Sequence, residues 1–461
     1  MAADLAIRGA TVISDGAHAR DILIRDGRVA GLVEPGASVA DAEIDATGLF
    51  ALPGVVDAHV HFNDPGRADW EGWTHGSRAA AAGGVTTVID MPLNSLPPVI
   101  DGNAFDLKRA AGERSSIVDF ALWGGLVGTD PGPLRELAAR GAVGVKAFLC
   151  ESGVPEFPAI ADDDLGAAIR AAASAGLLVA FHAEDDGLVR EATARVRASG
   201  RMDPGAWLAS RPPLAEVRAV ARACAAAKGT GARVHVVHLS SADALGAIGV
   251  ARADGTDISV ETCPHYLVFD EADVLIQGPL LKCAPPIRER ANREVLWDAV
   301  TEGRIDLVAS DHSPCPAADK ARGSGDIFAA WGGVSGVQSL LPAMFTEALR
   351  RANGALDARA VAGFIAWRLA AKPADRFGLS PRKGRIATGS DADIVLFDPA
   401  RAWTLEPAAV QTRSGLTPYA GRTFTGAVVR TLVRGTTVYL DDNAFPAAPG
   451  HGRFVASERA A

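Results

Sequence analysis

At 461 residues, 48% of them hydrophobic and 22% charged, the chain has the make-up of a soluble globular enzyme with one large domain and a smaller one. Lysine and arginine number 46 against 55 aspartates and glutamates; this net charge of −9 speaks against polyanionic partners, and no basic cluster with interleaved aromatics supports nucleic-acid binding. Asp4 and Arg8 interrupt any signal-peptide core, and no uncharged apolar run approaches the ~18–20 residues of a membrane span, so a cytoplasmic protein without membrane contact is expected.

In chain order, Leu5–Ile7, Ala10–Ile13, Asp21–Ile24 and Arg28–Ala30 read as short strands, with Asp26-Gly27 as a hairpin turn. The same texture returns at Gly384–Gly389, Ala392–Phe397 and Val428–Val433, so both termini are expected to build one small β-sandwich. Between them, eight strand-like runs alternate with helical segments: Val55–His61, Val85–Asp90, Ile117–Trp123, Val143–Phe148, Leu177–His182, Val234–His238, Ile258–Glu261 and Ile305–Ser310. The helices include Glu71–Ala82, Pro133–Arg140, Leu165–Ala175, Leu214–Lys228 and Arg288–Val300, and left-handed terminal glycines are expected at Gly83, Gly141, Gly176 and Gly229. Eight β/α units predict an α/β fold, a closed (β/α)8 TIM barrel over 53–378, flanked by sandwich segments 1–52 and 379–461.

A barrel of this kind carries its site at the carboxyl ends of its strands. His59 and His61 follow the first strand and, two residues apart, point the same way. Lys146 lies on the fourth strand, His182 ends the fifth, His238 ends the sixth and Asp311 follows the eighth. Alone, His182 or His238 would be a hydrogen-bonded core histidine; at the mouth of one barrel, with the others, they are ligand candidates. His235, three residues before His238, is expected to face away and stay structural, while His265 is either a support for the ligands or a packing residue.

Imidazole and carboxylate suit divalent ions, zinc first and cobalt, manganese, iron or nickel after it. An ammonium group does not, so Lys146 fits the centre as a carbamate formed with carbon dioxide, an anion able to bridge two ions roughly 3.5–4 Å apart; otherwise Lys146 pairs with a carboxylate such as Asp311. Asp311 can ligate an ion and also carry a proton from the attacking water to a leaving nitrogen. The five cysteines, Cys150, Cys224, Cys263, Cys283 and Cys315, lack paired spacing and read as small buried residues of a reducing compartment.

The stretches His59-Val-His-Phe-Asn-Asp-Pro-Gly-Arg-Ala-Asp-Trp-Glu-Gly, Asp90-Met-Pro-Leu-Asn-Ser, Lys282-Cys-Ala-Pro-Pro-Ile-Arg, Ser310-Asp-His-Ser-Pro-Cys and Gly332-Gly-Val-Ser-Gly-Val-Gln resemble the cyclic amidases of the amidohydrolase superfamily. Lys383-Gly-Arg-Ile-Ala-Thr-Gly-Ser-Asp-Ala-Asp-Ile-Val resembles the segment that returns to the family's sandwich, so the likeness covers nearly the whole chain. It implies carboxylated Lys146 between two ions, with His59, His61 and Asp311 on one and His182 and His238 on the other. Within the family the motifs are nearest to the allantoin-hydrolysing branch, which implies ring opening of allantoin to allantoate in purine breakdown, with Asp311 protonating the departing nitrogen, and a homotetramer. Asn63, Asn94, Cys283, Ser313 and Gly332 are the candidates for contact with the substrate, the last three through groups around their backbone. The competing readings are a dihydroorotase, which would carry arginine where Asn63 stands, and a dihydropyrimidinase or hydantoinase, which would lead from Lys146 to a tyrosine. A metal-free scaffold of the same fold would have lost ligands, and none is missing.

Overall fold

The apolar runs become a parallel barrel in the computed structural model, which describes residues 3–14 and 16–459. Its strands are Val55–Val60, Val85–Asp90, Asp119–Leu122, Val145–Phe148, Val179–His182, Arg233–Val236, Asp257–Thr262 and Leu307–Val308. Each sits in or within a residue of the range expected for it, and the third and eighth are cut to four and two residues. Neighbours pair in parallel around the ring, and Val143 N–H donates to the Leu122 carbonyl at 3.1 Å where the third strand meets the fourth. The ring closes where His61 N–H donates to the His312 carbonyl at 2.8 Å. Small and branched side chains fill the interior, among them Val56, Ala58, Ile89, Ala121, Ala180 and Leu307, while the outward residues pack under the helices. Burial on both faces explains why several of these strands read as apolar runs; Arg233–Val236 and Asp257–Thr262 alternate, and their polar members His235, Ser259 and Glu261 bond to one another.

The helices Gly72–Ala82, Pro131–Ala139, Leu165–Ser174, Pro213–Ala227 and Arg290–Glu302 match expectation to within two residues. Gly141, Gly176 and Gly229 take positive φ, but Gly83 does not. Its amide still bonds back to Ala79 and Ala80, so the turn runs one residue further and Gly84 takes the left-handed conformation, φ +79°.

Strands from both ends of the chain form one eight-stranded sheet with its own apolar core. The N-terminal part contributes Ala3–Ser14, Gly16–Arg25, Arg28–Val33, Ala40–Asp45 and Phe50–Pro53; the C-terminal part contributes Ile394–Thr404, Thr423–Val433 and Thr436–Leu440. The halves join where Phe50–Pro53 pairs antiparallel with Ile394–Phe397. Asp26 and Gly27, at φ 51° and 74°, make the expected hairpin turn. The two short strands expected at 5–7 and 10–13 are halves of one, interrupted by a bulge at Gly9. There φ is +72° and an added Cβ would lie 2.6 Å from Thr47 Oγ1, so the kink needs glycine. Residues 384–389 form turns rather than a strand, because the Ser390 hydroxyl draws the segment into local bonds with Arg385 and Ala387.

A buried ion cluster ties this sheet to the barrel. Lys383 Nζ lies 2.5, 2.7 and 2.9 Å from carboxylate oxygens of Asp119, Asp393 and Asp391, and Arg434 also pairs with Asp119. The tail then runs along the third barrel strand: Phe120 N–H donates to the Arg453 carbonyl and Val455 N–H to the Phe120 carbonyl. All five cysteines are free and buried. No helix among the described residues is long and apolar enough to cross a membrane.

Candidate active site

The six ligand candidates come together, buried, at the carboxyl end of the barrel. His59 Nδ1 donates to Glu261 Oε1 at 2.6 Å, which turns Nε2 to within 3.1 Å of Lys146 Nζ and 3.3 Å of Asp311 Oδ1. His61 Nδ1 donates to the Leu93 carbonyl, leaving Nε2 3.6 Å from the same aspartate oxygen. His182 Nε2 donates to Glu184 Oε2 at 3.0 Å, and its Nδ1 faces His238 Nε2 at 3.1 Å. Each of the three anchored imidazoles thus offers its other nitrogen to the centre. Ligand atoms of His59, His61 and Asp311 all lie within 4.8 Å of one another.

The electrostatics fit a cation site. Burial, aided by Lys146, lowers His59 to about 4, and burial lowers His182 and His238 as well, so their lone pairs are free at neutral pH. Burial opposes ionisation of Asp311, yet His59 and His61 outweigh it and hold the carboxyl well below its usual range. Burial brings Lys146 down to about 8, which leaves an appreciable neutral amine to react with carbon dioxide. Phe148 lies flat against His182, centroids 4.5 Å apart, and Lys146 Nζ sits 5.3 Å from the centroid of that same phenyl ring.

His235 does not turn away. His238 has φ +39°, so regular alternation stops at Val236, and both histidines reach the interior. The His235 ring pairs with Ser259 Oγ at 2.7 Å and Glu261 Oε2 at 3.1 Å, and so supports His59 through one carboxylate. His265 is buried against Tyr266, with no hydrogen-bond partner for either ring nitrogen among the described residues.

Sequence reasoning missed Glu184, Arg211 and Glu261. Arg211 pairs with Glu184, lies 4.8 Å from the Trp207 ring and, with His182, outweighs burial to hold Glu184 down to about 2. Glu184 had one visible signal, its place two residues after His182 and hence on the same side. Cys150 also lies near His182 and Glu184, but burial pushes its thiol up to about 12 and Arg211 occupies the glutamate, so the trio supports His182 and is not a second ion site.

A cavity of about 600 Å³ opens over the centre, lined by His61, Lys146, His182, His238 and Asp311 and by Asn94, Cys283, Ser313 and Gly332. The Cys283 carbonyl is already taken by Trp207 Nε1 at 2.9 Å, and Ser313 Oγ donates to Asp311 Oδ1 at 2.8 Å. Gly333 is glycine of necessity: at φ +121° a Cβ would meet the Ser313 carbonyl at 2.2 Å. Asn63 is placed behind the cavity, fully buried, with Nδ2 3.4 Å from the Pro314 carbonyl. Arg67 is held against Trp70 and the Asn94 carbonyl and also stays outside it. A second hollow of about 770 Å³ shares Glu151, Ser152, Gly153, Asp186 and Arg190 with this cavity but none of the six ligand candidates, so the chemistry is placed in the smaller one.

Residues 50–438 match the model of the amidohydrolase family. The chain is 44% identical over 460 residues to the allantoinase of Rubrobacter xylanophilus, covering 99% of this chain and 98% of that one. It is 46% identical over 437 residues to the allantoinase of Solibacter usitatus, covering 95% and 93%. Among solved structures, the L-hydantoinase (dihydropyrimidinase) of Arthrobacter aurescens superposes with a TM-score of 0.93 at 34% identity, over 98% of this chain and 99% of that one.

Proposed function

We propose that this chain, which belongs to the amidohydrolase family, hydrolyses the cyclic amide bond of allantoin to give allantoate. The observation that carries the reading is the convergence of His61, Lys146, His182, His238 and Asp311 at the floor of one cavity, with His59 just beneath, against Lys146 and Asp311. His59, His61 and Asp311 would hold one divalent ion and His182 and His238 another, with carboxylated Lys146 between them and zinc as the expected metal. Such ions, when bound, polarise an amide carbonyl and acidify water.

The protein's own groups do the rest. Glu261 and Glu184 fix the orientation of His59 and His182. Asp311, ionised and facing the cavity, accepts a proton at its carboxylate and returns it to the departing ring nitrogen. Asn94, Ser313 and the backbone at Cys283 and Gly332 meet the neutral polar ring. Asn63 acts through the Pro314 carbonyl. The division into 1–52, 53–378 and 379–461, a homotetramer and a cytoplasmic location belong to the same reading, the tetramer being open to light scattering.

A hydantoinase or dihydropyrimidinase reading draws support from the fold likeness to the Arthrobacter protein. Against it, Lys146-Ala-Phe-Leu-Cys-Glu leads to no tyrosine, and none of Tyr266, Tyr419 and Tyr439 lines the cavity. A dihydroorotase would need a cation for the substrate carboxylate, and of the cations lining the cavity besides Lys146, Arg211 is committed to Glu184, Arg190 to Asp186 and Lys282 to the Phe328 and Ala330 carbonyls. The test is kcat/KM for allantoin, dihydrouracil and dihydroorotate on one metal-loaded preparation. Allantoin is expected to lead by at least about 100-fold, equivalent to roughly 2.7 kcal/mol of transition-state discrimination. Either competitor in the lead replaces the substrate and leaves the two-ion reading intact.

A further inference from the structure

Two lysines stand out because both are buried and neither pairs with a carboxylate among the described residues. Lys282 Nζ donates to the Phe328 and Ala330 carbonyls, at 3.1 and 2.5 Å. Lys320 Nζ donates to the Trp331 and Gly333 carbonyls, at 3.0 and 2.6 Å. Four carbonyls within six residues are therefore gathered by two ammonium groups, and Gly332 lies inside the gathered stretch. An ammonium ion taken out of water is costly unless its hydrogens are satisfied, so the two groups demand this backbone shape as much as they stabilise it.

The gathered stretch is a wall of the catalytic cavity: Phe328, Ala330, Trp331, Gly332 and Gly333 all line it. At its start Phe328 N–H donates to Asp326 Oδ1 and Ala329 N–H to the Asp326 carbonyl, both at 2.9 Å, and the Phe328 and Trp331 rings meet those of Trp207 and Trp70. Gly333 N–H donates to the Lys282 carbonyl at 2.7 Å and Trp331 N–H to the Asp319 carbonyl at 3.2 Å. Lys282 also lies 4.4 Å from the Trp207 ring, which itself meets the Phe328 ring at 6.0 Å.

We propose that Lys282 and Lys320 are positioning residues for the substrate, holding the 328–333 backbone so that Gly332 meets the ring of a cyclic amide. The proposal rests on the reading of Gly332 as a substrate contact. The surroundings make the clamp sensitive to its own charge. Lys282 is faced by Lys320, Arg211 and Arg197 and by Asp326, and burial with Lys320 brings it down to about 7. Lys320 is faced by Cys315 and Cys283, and burial brings it down to about 8. Both groups are therefore charged in mildly acid solution and lose the charge as pH rises through those values.

The experiment compares metal-loaded wild type, Lys320→Met and Lys282→Met by steady-state kinetics on allantoin and by hydrogen exchange. Both variants are expected to keep wild-type metal content. KM should rise at least tenfold with kcat within about threefold, and amides of 326–334 should exchange at least tenfold faster while the barrel strands stay protected. An unchanged KM, or unchanged exchange in that segment, overturns the proposal. Should the variants fail to fold, wild-type exchange corrected for intrinsic rates decides: protection of 326–334 relative to the barrel must fall between pH 6 and 9, and constant protection overturns it. The exchange readout needs no substrate, so inactivity of the wild type towards allantoin would count against the functional reading and not against the clamp.

Discussion

Glu261 holds His59 by its Nδ1, 2.6 Å from Oε1, and thereby decides which nitrogen of that imidazole faces the centre. The other carboxylate oxygen is taken by His235, so one side chain on the seventh strand braces two histidines. Glu261→Gln, which can accept at one oxygen but carries no charge, should weaken metal affinity about 10–100-fold. Titration in metal buffers reads this directly; wild-type affinity would detach Glu261 from the centre.

Lys146→Ala should lose both bound metal and activity, because the two ions would then have no common anionic side-chain ligand. Arginine should not substitute, since its guanidinium stays charged and forms no carbamate. Elemental analysis is the check, and full metal content in Lys146→Ala would rule out a bridging lysine.

Asp311→Asn should stay folded and keep at least one ion, yet lose about 10²–10⁴-fold in kcat. The amide retains an oxygen donor but cannot accept and return a proton. Near-normal turnover at saturating metal would place the proton transfer elsewhere.

Lys383→Met removes the cation shared by Asp119, Asp391 and Asp393; Arg434 still pairs with Asp119 and Arg382 with Asp391, while Asp393 loses its ion pair. Breaking a buried ion network by removing one partner costs about 3–5 kcal/mol, so the apparent melting temperature should fall by several degrees. Metal content should not change, since the cluster joins sheet to barrel away from the ligands. Burial already raises Asp393 above its ordinary value, even with Lys383 and its other partners beside it. A carboxyl with a raised folded-state pKa binds its proton more tightly when folded, so acidification towards that pKa stabilises the native state. The deficit of the variant should therefore narrow as pH is lowered from 8 to 5, and a deficit that widens would contradict this account.

The barrel was legible because short strands rich in branched residues recur in alternation with helices, several of them ended by glycine. The ligand candidates were legible for a related reason: each lies on, ends or follows such a strand, and position on the barrel did what spacing alone could not. What supports them was hidden. Glu261 reaches His59 and His235 across neighbouring strands, a matter of register that no local pattern records. His235 was misread because alternation assumes regular backbone, and the positive φ of His238 breaks it. The clamp on 328–333 left no trace either, since lysines that bind carbonyls impose no side-chain partner in the sequence.

The sheet begun first is completed last. Phe50–Pro53 is made before the barrel, but its antiparallel partner Ile394–Phe397 follows the whole of it. During synthesis at about 5–20 residues per second that strand waits on the order of tens of seconds with an open edge. An open edge is a template for pairing with another chain. Aggregation during expression should thus depend on translation speed across the barrel, and a chain truncated before residue 394 would carry that exposed edge permanently.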